Sequence, residues 1–254
     1  MMALNARPGR ILLLAAFLVL LGSDDGLAQR WQWPEKGENL KVLPEDIGPD
    51  ELSATMRGFT RALGVRCEHC HDDTNGTRLS EIDFPADTKE TKDIARIMLE
   101  MVKGINGEAL TQVERAENEA RVSVTCVTCH RGVAIPRMLE DILTDEHAEA
   151  GVEAAITRYR ELREEYYGGF SYDFGERTLL RLAEMMMADA VDDVPAILTL
   201  NLEMYPESWQ THLYFGQVHT KGGDQDAALA SFEKAYELNP VPWIQQQIDQ
   251  LKSQ

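Results

Sequence analysis

Positive charge is scarce in this chain of 254 residues. It has 25 lysines and arginines against 43 aspartates and glutamates, which gives a net charge of −18. Nucleic acids are bound through basic surfaces, so this balance excludes the nucleic-acid-binding class. An acidic surface serves solubility or docking to a basic protein partner. Glycine-rich phosphate loops, Gly-x-Ser-x-Gly and the zinc-protease helix are also missing, which argues against the enzyme classes that use them.

Long apolar runs are missing as well. The N-terminal run, residues 11–21, follows two arginines and is too short to span a bilayer comfortably. Small residues then occupy the −3 and −1 positions of a cleavage site before Gln29. We therefore predict a cleaved signal peptide over residues 1–28, a periplasmic or secreted protein and no stable membrane span after cleavage. An uncleaved anchor is the alternative.

Cysteine is rare, and its placement is informative. The four cysteines form two Cys-x-x-Cys-His pentapeptides and leave none over. A thioredoxin-like pair normally occurs once beside a βαβ pattern, and a four-cysteine zinc site would leave both histidines unexplained. Covalent c-type haem explains every residue, because two thioethers and one proximal iron ligand are needed per haem. We predict two haem c groups, held by Cys67, Cys70 and His71 and by Cys126, Cys129 and His130.

Each pentapeptide follows an amphipathic helix that contains methionine. The first is predicted to begin at Pro49, to place Leu52, Met56, Phe59 and Leu63 on one face, and to end at Gly64.

The second helix is predicted to be capped by Asp87 or Thr88 and to end at Asn106-Gly107. Ile94, Met98 and Met101 line its apolar face. A further, more polar helix is predicted over residues 108–124. The order of helix and motif thus occurs twice, as an internal repeat.

A methionine as sixth ligand raises the haem potential and closes the iron to substrates, which suits electron transfer. Met56 and Met98 are candidates, with Met101 one turn further on, although methionines on apolar helical faces are more often core residues. Ligation by a second histidine is the second choice; the remaining histidines are His69, His147, His212 and His219.

Past "RGVAIP", residues 131–136, the character of the chain changes. Five residues match the tetratricopeptide pattern, and Pro206 precedes Pro240 by one repeat period. The matching residues are Gly216, Ala228, Phe232, Ala235 and Pro240, whereas His219 replaces the usual tyrosine. We predict a mainly α fold, with a di-haem cytochrome domain over 29–140 and antiparallel helix pairs of tetratricopeptide type over 150–254. An ordinary helical bundle is the alternative.

The segments "LSATMRGFTRALGVRCEHCH" and "ARIMLEMVKGIN…VTCVTCHRG" resemble the cytochrome subunit of bacterial photosynthetic reaction centres. The resemblance covers about residues 40 to 136 and implies a multihaem c-type cytochrome whose methionine ligands come from the helix before each motif. It implies Met56 for the first haem and Met98, in preference to Met101, for the second. The chain departs from that family in having two motifs instead of four, no lipobox, Asn118 at a position where a histidine is expected, and a tetratricopeptide-like tail.

These observations predict a di-haem cytochrome that passes single electrons between redox partner proteins, docked through the acidic surface or the repeat region. Arginines beside the motifs are candidate partners of the haem propionates; they are Arg66, Arg121, Arg131 and Arg137. A di-haem enzyme of peroxidase type and a haem-based redox sensor are the alternatives.

Overall fold

The computed structural model describes residues 31–114 and 120–253. This part of the chain is mainly helical and contains no β-strand, which confirms the predicted fold class. The predicted signal peptide and Asn118 lie outside the described residues. The helices are α1 Pro49–Leu63, α2 Glu90–Gly104, α3 Cys126–His130, α4 Leu139–Ala150, α5 Val152–Tyr166, α6 Glu176–Met186, α7 Val194–Met204, α8 Trp209–Gly222, α9 Gln225–Leu238 and α10 Pro242–Lys252.

Helix α1 has the bounds that the sequence predicts. Pro49 occupies the first helical turn, where its missing N–H costs nothing, and Asp50 and Glu51 face the positive end of the helix dipole. Gly64 ends the helix in the left-handed conformation, with φ of 68°. The chain then reaches Cys67 in three residues, so the end of α1 sets where the first motif lies.

Helix α2 differs from its prediction at both ends. It begins after Lys89, and neither predicted capping residue caps it. Thr88 Oγ1 instead donates a hydrogen bond to Asp72 Oδ2 at 2.7 Å, and Asp87 forms ion pairs with three basic side chains. Asn106-Gly107 does not stop the helix, because the backbone continues as a π-helical turn to Ala109.

The prediction of a polar helix over residues 108–124 is wrong for most of the described residues in that range. The helical backbone ends with a 3-10 turn, Leu110–Gln112. Residues 120–125 are not helical, and residues 115–119 lie outside the described part of the chain. Residues 120–125, directly before the second motif, therefore form a loop that needs other contacts to hold it in place.

The second half of the chain contains the main apolar core. Buried residues of α4 to α8, from Leu139 to Val218, form one cluster, and a smaller cluster joins α8, α9 and α10. A Cβ atom at Gly216 would lie 2.7 Å from the Phe232 ring, so α8 and α9 can pack this closely only with glycine there. These packing contacts are those that the repeat pattern requires; the tetratricopeptide identity stays a prediction.

Among the described residues, helices of the length and apolarity needed to cross a membrane are absent. The two halves of the chain touch at the second motif, where Ser171 Oγ donates a hydrogen bond to the Arg131 carbonyl at 2.8 Å.

Candidate haem-binding sites

The first motif forms a 3-10 turn, Cys67–His69, directly beyond α1. Cys67 and Cys70 are free thiols, as are the two cysteines of the second motif. A cleft of about 1370 Å³ opens beside Cys67, and its lining includes Trp31, Val65, Arg66, Arg78 and Leu79. Cys67 thus lines a space of mixed apolar and basic character.

The imidazole of His71 is held in one tautomer. Its Nδ1 lies 3.0 Å from the backbone carbonyl of Phe84. Because a carbonyl can only accept, Nδ1 carries the proton, and Nε2 keeps the lone pair that a metal needs. Burial lowers the pKa of His71 below its usual value, against the opposing effect of the Phe84 hydrogen bond. The ring is therefore neutral at neutral pH, as metal ligation requires.

The carbonyl that binds His71 is itself fixed by Lys92. Lys92 Nζ donates to the carbonyls of Phe84, Pro85 and Ala86 at 2.9, 3.1 and 2.7 Å. The Phe84 ring lies edge-on to His71, with centroids 4.9 Å apart, and tilted against Trp31 at 5.1 Å. One lysine and one aromatic side chain thus position the histidine from outside the motif.

The start of α2 clamps the first motif. Lys89 Nζ donates to the Glu68 carbonyl and, at 2.7 Å, to Asp73 Oδ1. Thr91 Oγ1 donates to the His69 carbonyl at 2.5 Å. Two of these three contacts are made to backbone carbonyls of the motif, and the third is made to a side chain two residues after His71. The motif is therefore held from α1 on one side and from α2 on the other.

Two carboxylates complete this clamp, and both stay ionised far into the acid range. Asp87 accepts from Arg96 at 2.7 Å and from Lys41 at 2.5 Å, and these contacts hold its pKa well below the usual range. Hydrogen bonds from the Thr74 backbone and from Thr88 lower the pKa of Asp72 to about 2. The loop between motif and helix is thus held by fixed negative charges.

The second motif is helical. It forms α3 after Thr125, whose backbone N–H donates to Thr128 Oγ1 at 3.0 Å. His130 Nδ1 lies 3.0 Å from the Val133 carbonyl, so Nε2 again keeps its lone pair. Arg131 and Gly132 both have positive φ, 49° and 91°, and form the tight turn that brings this carbonyl back to the ring.

Asn106 holds the loop before the second motif. Its side-chain amide donates to the Val124 carbonyl at 2.8 Å and accepts from the Val124 N–H at 2.7 Å. Val124 lies two residues before Cys126. The end of α2 is therefore fastened to the start of the second motif by a pair of neutral hydrogen bonds.

The two motifs are joined through backbone contacts between α1 and the turn after α3. The Gly132 N–H donates to the Ala62 carbonyl at 2.8 Å. A Cβ atom at Gly64 would lie 2.0 Å from the Gly132 carbonyl oxygen, so a side chain cannot be accommodated at this contact. The turn after the second motif is thereby packed directly on the end of the helix before the first motif.

A family model described as the photosynthetic reaction centre cytochrome C subunit matches residues 35–161, half of the chain. The chain belongs to this family. Curated relatives with the name photosynthetic reaction center cytochrome c subunit are 30% identical over 102 residues in Thermochromatium tepidum and 32% identical over 101 residues in Roseobacter denitrificans. Each alignment covers 39% of this chain but only 22% and 25% of the relative. The chain thus spans about a quarter of those relatives.

In this member of the reaction-centre cytochrome family, the candidate methionines lie on incompletely covered helix faces. Met56 is half-buried on α1. Helix α2 has no buried residue, and Ile94, Ile97, Met98 and Met101 are exposed, Ile97 by 64% and Met98 by 36%. An apolar helix face left open in this way fits a large flat apolar group. The assignment of Met56 and Met98 as axial ligands stays a prediction.

The other residues singled out in the sequence have different surroundings. Arg66 lines the first cleft and pairs with Glu68 at 2.9 Å, whereas Arg137 pairs with Asp145 at 2.7 Å. His147 Nε2 binds Asp193 Oδ2 at 2.8 Å, and the His219 ring stacks on Phe215 in α8. These contacts give both histidines packing and pairing roles in the second half of the chain.

Several functional contacts escaped sequence reasoning. Three of the groups that hold the motifs lie far from them in the sequence: the Phe84 carbonyl, Lys92 and Asn106. Only the Val133 carbonyl, three residues after His130, could have been predicted from local spacing. Trp31 Nε1 is buried without a hydrogen-bond partner in the described part of the chain. Because Trp31 lines the cleft, this donor fits a group that brings its own acceptor.

Proposed function

We propose that this protein is an exported di-haem c-type cytochrome that transfers single electrons between redox partner proteins. Membership of the reaction-centre cytochrome family implies covalently bound haem c. The observation that carries the proposal is the repeated histidine geometry: in both motifs, Nδ1 donates to a backbone carbonyl 3.0 Å away, beside a pair of free thiols. This arrangement leaves Nε2 free for iron twice over.

The bound group would supply a one-electron iron couple in each unit. Cys67 and Cys70, and likewise Cys126 and Cys129, would hold it through thioethers. His71 and His130 would be proximal ligands, with Met56 and Met98 as the sixth ligands. Such a ligand set excludes substrate from the metal and favours electron transfer over catalysis.

The backbone contact between Ala62 and Gly132 supports electron exchange between the two units. It packs the residues after one motif against the helix before the other. Outer-sphere transfer needs the two centres to be close and rigidly spaced. A contact without any side chain between the two backbones supports such a spacing.

Export and partner docking complete the proposal. The predicted signal peptide would deliver the chain to the periplasm, where c-type haem is attached. The net charge of −18 favours a partner with a basic docking face. The helix pairs of the second half would offer a further docking surface, as tetratricopeptide-like repeats do.

Spectroscopy of the purified holoprotein tests the ligand set. Met56→Ala and Met98→Ala should each remove about half of the methionine–iron charge-transfer absorption, because each removes one of two sulfur ligands. Met101→Ala, one turn from Met98 on the same helix, and Met185→Ala on α6 are matched controls that should leave the band intact.

Other outcomes would overturn the proposal. Protein from the periplasm that is colourless, or that has the mass of the bare polypeptide, contradicts haem attachment. A large spectral change when carbon monoxide is added to the reduced protein would show an open iron and would favour a di-haem enzyme.

A further inference from the structure

The two proposed haem units differ in the charge next to the proximal histidine. We propose that Lys92 raises the reduction potential of the His71 unit above that of the His130 unit, so that an electron held by the protein resides in the first unit. This inference rests on the proposed function and assigns an order to its two redox centres.

Lys92 and His71 share one acceptor. Lys92 Nζ lies 2.9 Å and His71 Nδ1 lies 3.0 Å from the same oxygen, the Phe84 carbonyl. A hydrogen-bonded carbonyl normally makes the imidazole a more basic iron ligand. A carbonyl that also accepts from an ammonium group has less negative charge to offer to Nδ1–H. His71 is therefore the weaker donor to ferric iron, which favours the reduced state.

The charge of Lys92 also acts directly. Its side chain is only 13% exposed, so solvent and salt screen it poorly. Its carboxylate partner, Asp87, is shared with Lys41 and Arg96, and Arg96 has a second partner in Asp93. Three cations thus face two carboxylates in this cluster, and Lys92 is the cation among them that also binds the Phe84 carbonyl.

The second unit lacks this arrangement. The Val133 carbonyl is the acceptor for His130. Within residues 31–114 and 120–253, no lysine or arginine side chain donates a hydrogen bond to it. Cys129 is also exposed, so water and ions have access to that motif. Both differences favour the oxidised state there relative to the first unit.

The order of the units defines a direction of electron movement. A reduced partner protein that delivers one electron to the His130 unit becomes oxidised by one electron. Transfer to the His71 unit then oxidises the second centre and reduces the first, and the step is downhill. No further oxidant or reductant is required until an acceptor protein takes the electron from the first unit.

Potentiometric titration of the holoprotein, followed by its visible spectrum, tests the proposal. The wild-type protein should titrate in two waves. In Lys92→Met, which removes the charge and keeps the length of the side chain, the upper wave should shift down by about tenfold in the reduction equilibrium constant, or about 59 mV for one electron. The lower wave should not move.

Two further variants separate charge from structure. Lys92→Arg keeps the charge and should keep the upper wave near its wild-type position. Lys41→Met removes a cation that binds the same Asp87 but makes no contact with the Phe84 carbonyl, so its shift should be clearly smaller.

A single wild-type wave, a shift of the lower wave or equal shifts of both waves in Lys92→Met would each overturn the inference, and the wild-type titration needs no variant to fold. Purified wild-type protein without haem would instead overturn the proposed function.

Discussion

The two motif-containing units have the same order of elements but are held together by different forces. In the first, charged side chains clamp the motif: Lys89 binds the Glu68 carbonyl and Asp73, and Lys92 binds three successive carbonyls. In the second, the neutral amide of Asn106 does the corresponding work with two hydrogen bonds. Similar pentapeptides therefore do not imply similar surroundings, and charge is the property in which the units differ most.

The units also differ in how far along the chain each histidine reaches for its acceptor. His130 binds the carbonyl of the third residue after it, whereas His71 binds that of Phe84, thirteen residues on. The contact between His130 and the Val133 carbonyl forms as soon as the turn that connects them forms. A contact across a longer loop must offset the entropy of closing that loop, which is consistent with the dense set of ion pairs around residues 72–92.

The largest expected effect comes from breaking the contact between the units. Gly64→Ala places a Cβ 2.0 Å from the Gly132 carbonyl oxygen and in a backbone conformation with φ of 68°. We expect the free energy of unfolding to fall by about 3 kcal/mol or more, measured by denaturant titration of the holoprotein. Gly58→Ala in the same helix meets no atom within 4 Å and should stabilise it by about 0.5–1 kcal/mol. Equal effects of the two changes would disprove the close contact.

An intermediate effect is expected from loss of the two hydrogen bonds between Asn106 and Val124. Asn106→Ala removes both hydrogen bonds to Val124 and should cost about 1–3 kcal/mol in unfolding free energy. Gln112→Ala removes one exposed bond to the Glu108 carbonyl and should cost no more than about 0.5 kcal/mol. Titration of both variants in denaturant, with haem retention assayed for each motif, should show a loss confined to the second unit. A loss at the first motif would contradict this assignment.

The smallest effect concerns acid stability and should appear only in the first unit. The pKa of Asp72 is lowered from 3.8 to about 2, so its contribution is fully present above 3.8 and is lost as the pH falls through about 2. Asp72→Asn should flatten the pH dependence of stability in that window and change little at neutral pH. Asp141→Asn, an exposed carboxylate in α4, provides the comparison. An unchanged acid transition in Asp72→Asn would refute the role given to this carboxylate.

Local sequence signals predicted the parts of the fold that depend on local contacts. The Pro49 start and Gly64 end of α1 followed from backbone preferences of single residues and were confirmed. The ends of α2 were mispredicted because tertiary contacts changed the roles of the expected cap and stop residues. Thr88 binds Asp72 instead of the helix end, and Asn106 binds Val124 while the backbone continues past it.

The same distinction applies to the candidate sites. The motif residues could be proposed from spacing, because the cysteines and the histidine of a haem-attachment motif are adjacent in the chain. The groups that orient His71 could not, since Phe84 and Lys92 are brought to it by folding of the intervening loop. A lysine that binds carbonyls has no sequence pattern to distinguish it from one on a solvated helix face.

The glycine contact has a consequence for how the chain is built. The Ala62 carbonyl accepts a hydrogen bond from the Gly132 N–H, and Gly132 is synthesised much later than Ala62. Until Gly132 is synthesised, the segment that contains Cys67 and Cys70 lacks the turn that packs on it in the folded protein. Under the proposed function, haem attachment at Cys67 and Cys70 would therefore take place before the fold is complete, and docking of the later turn would close the structure around the haem.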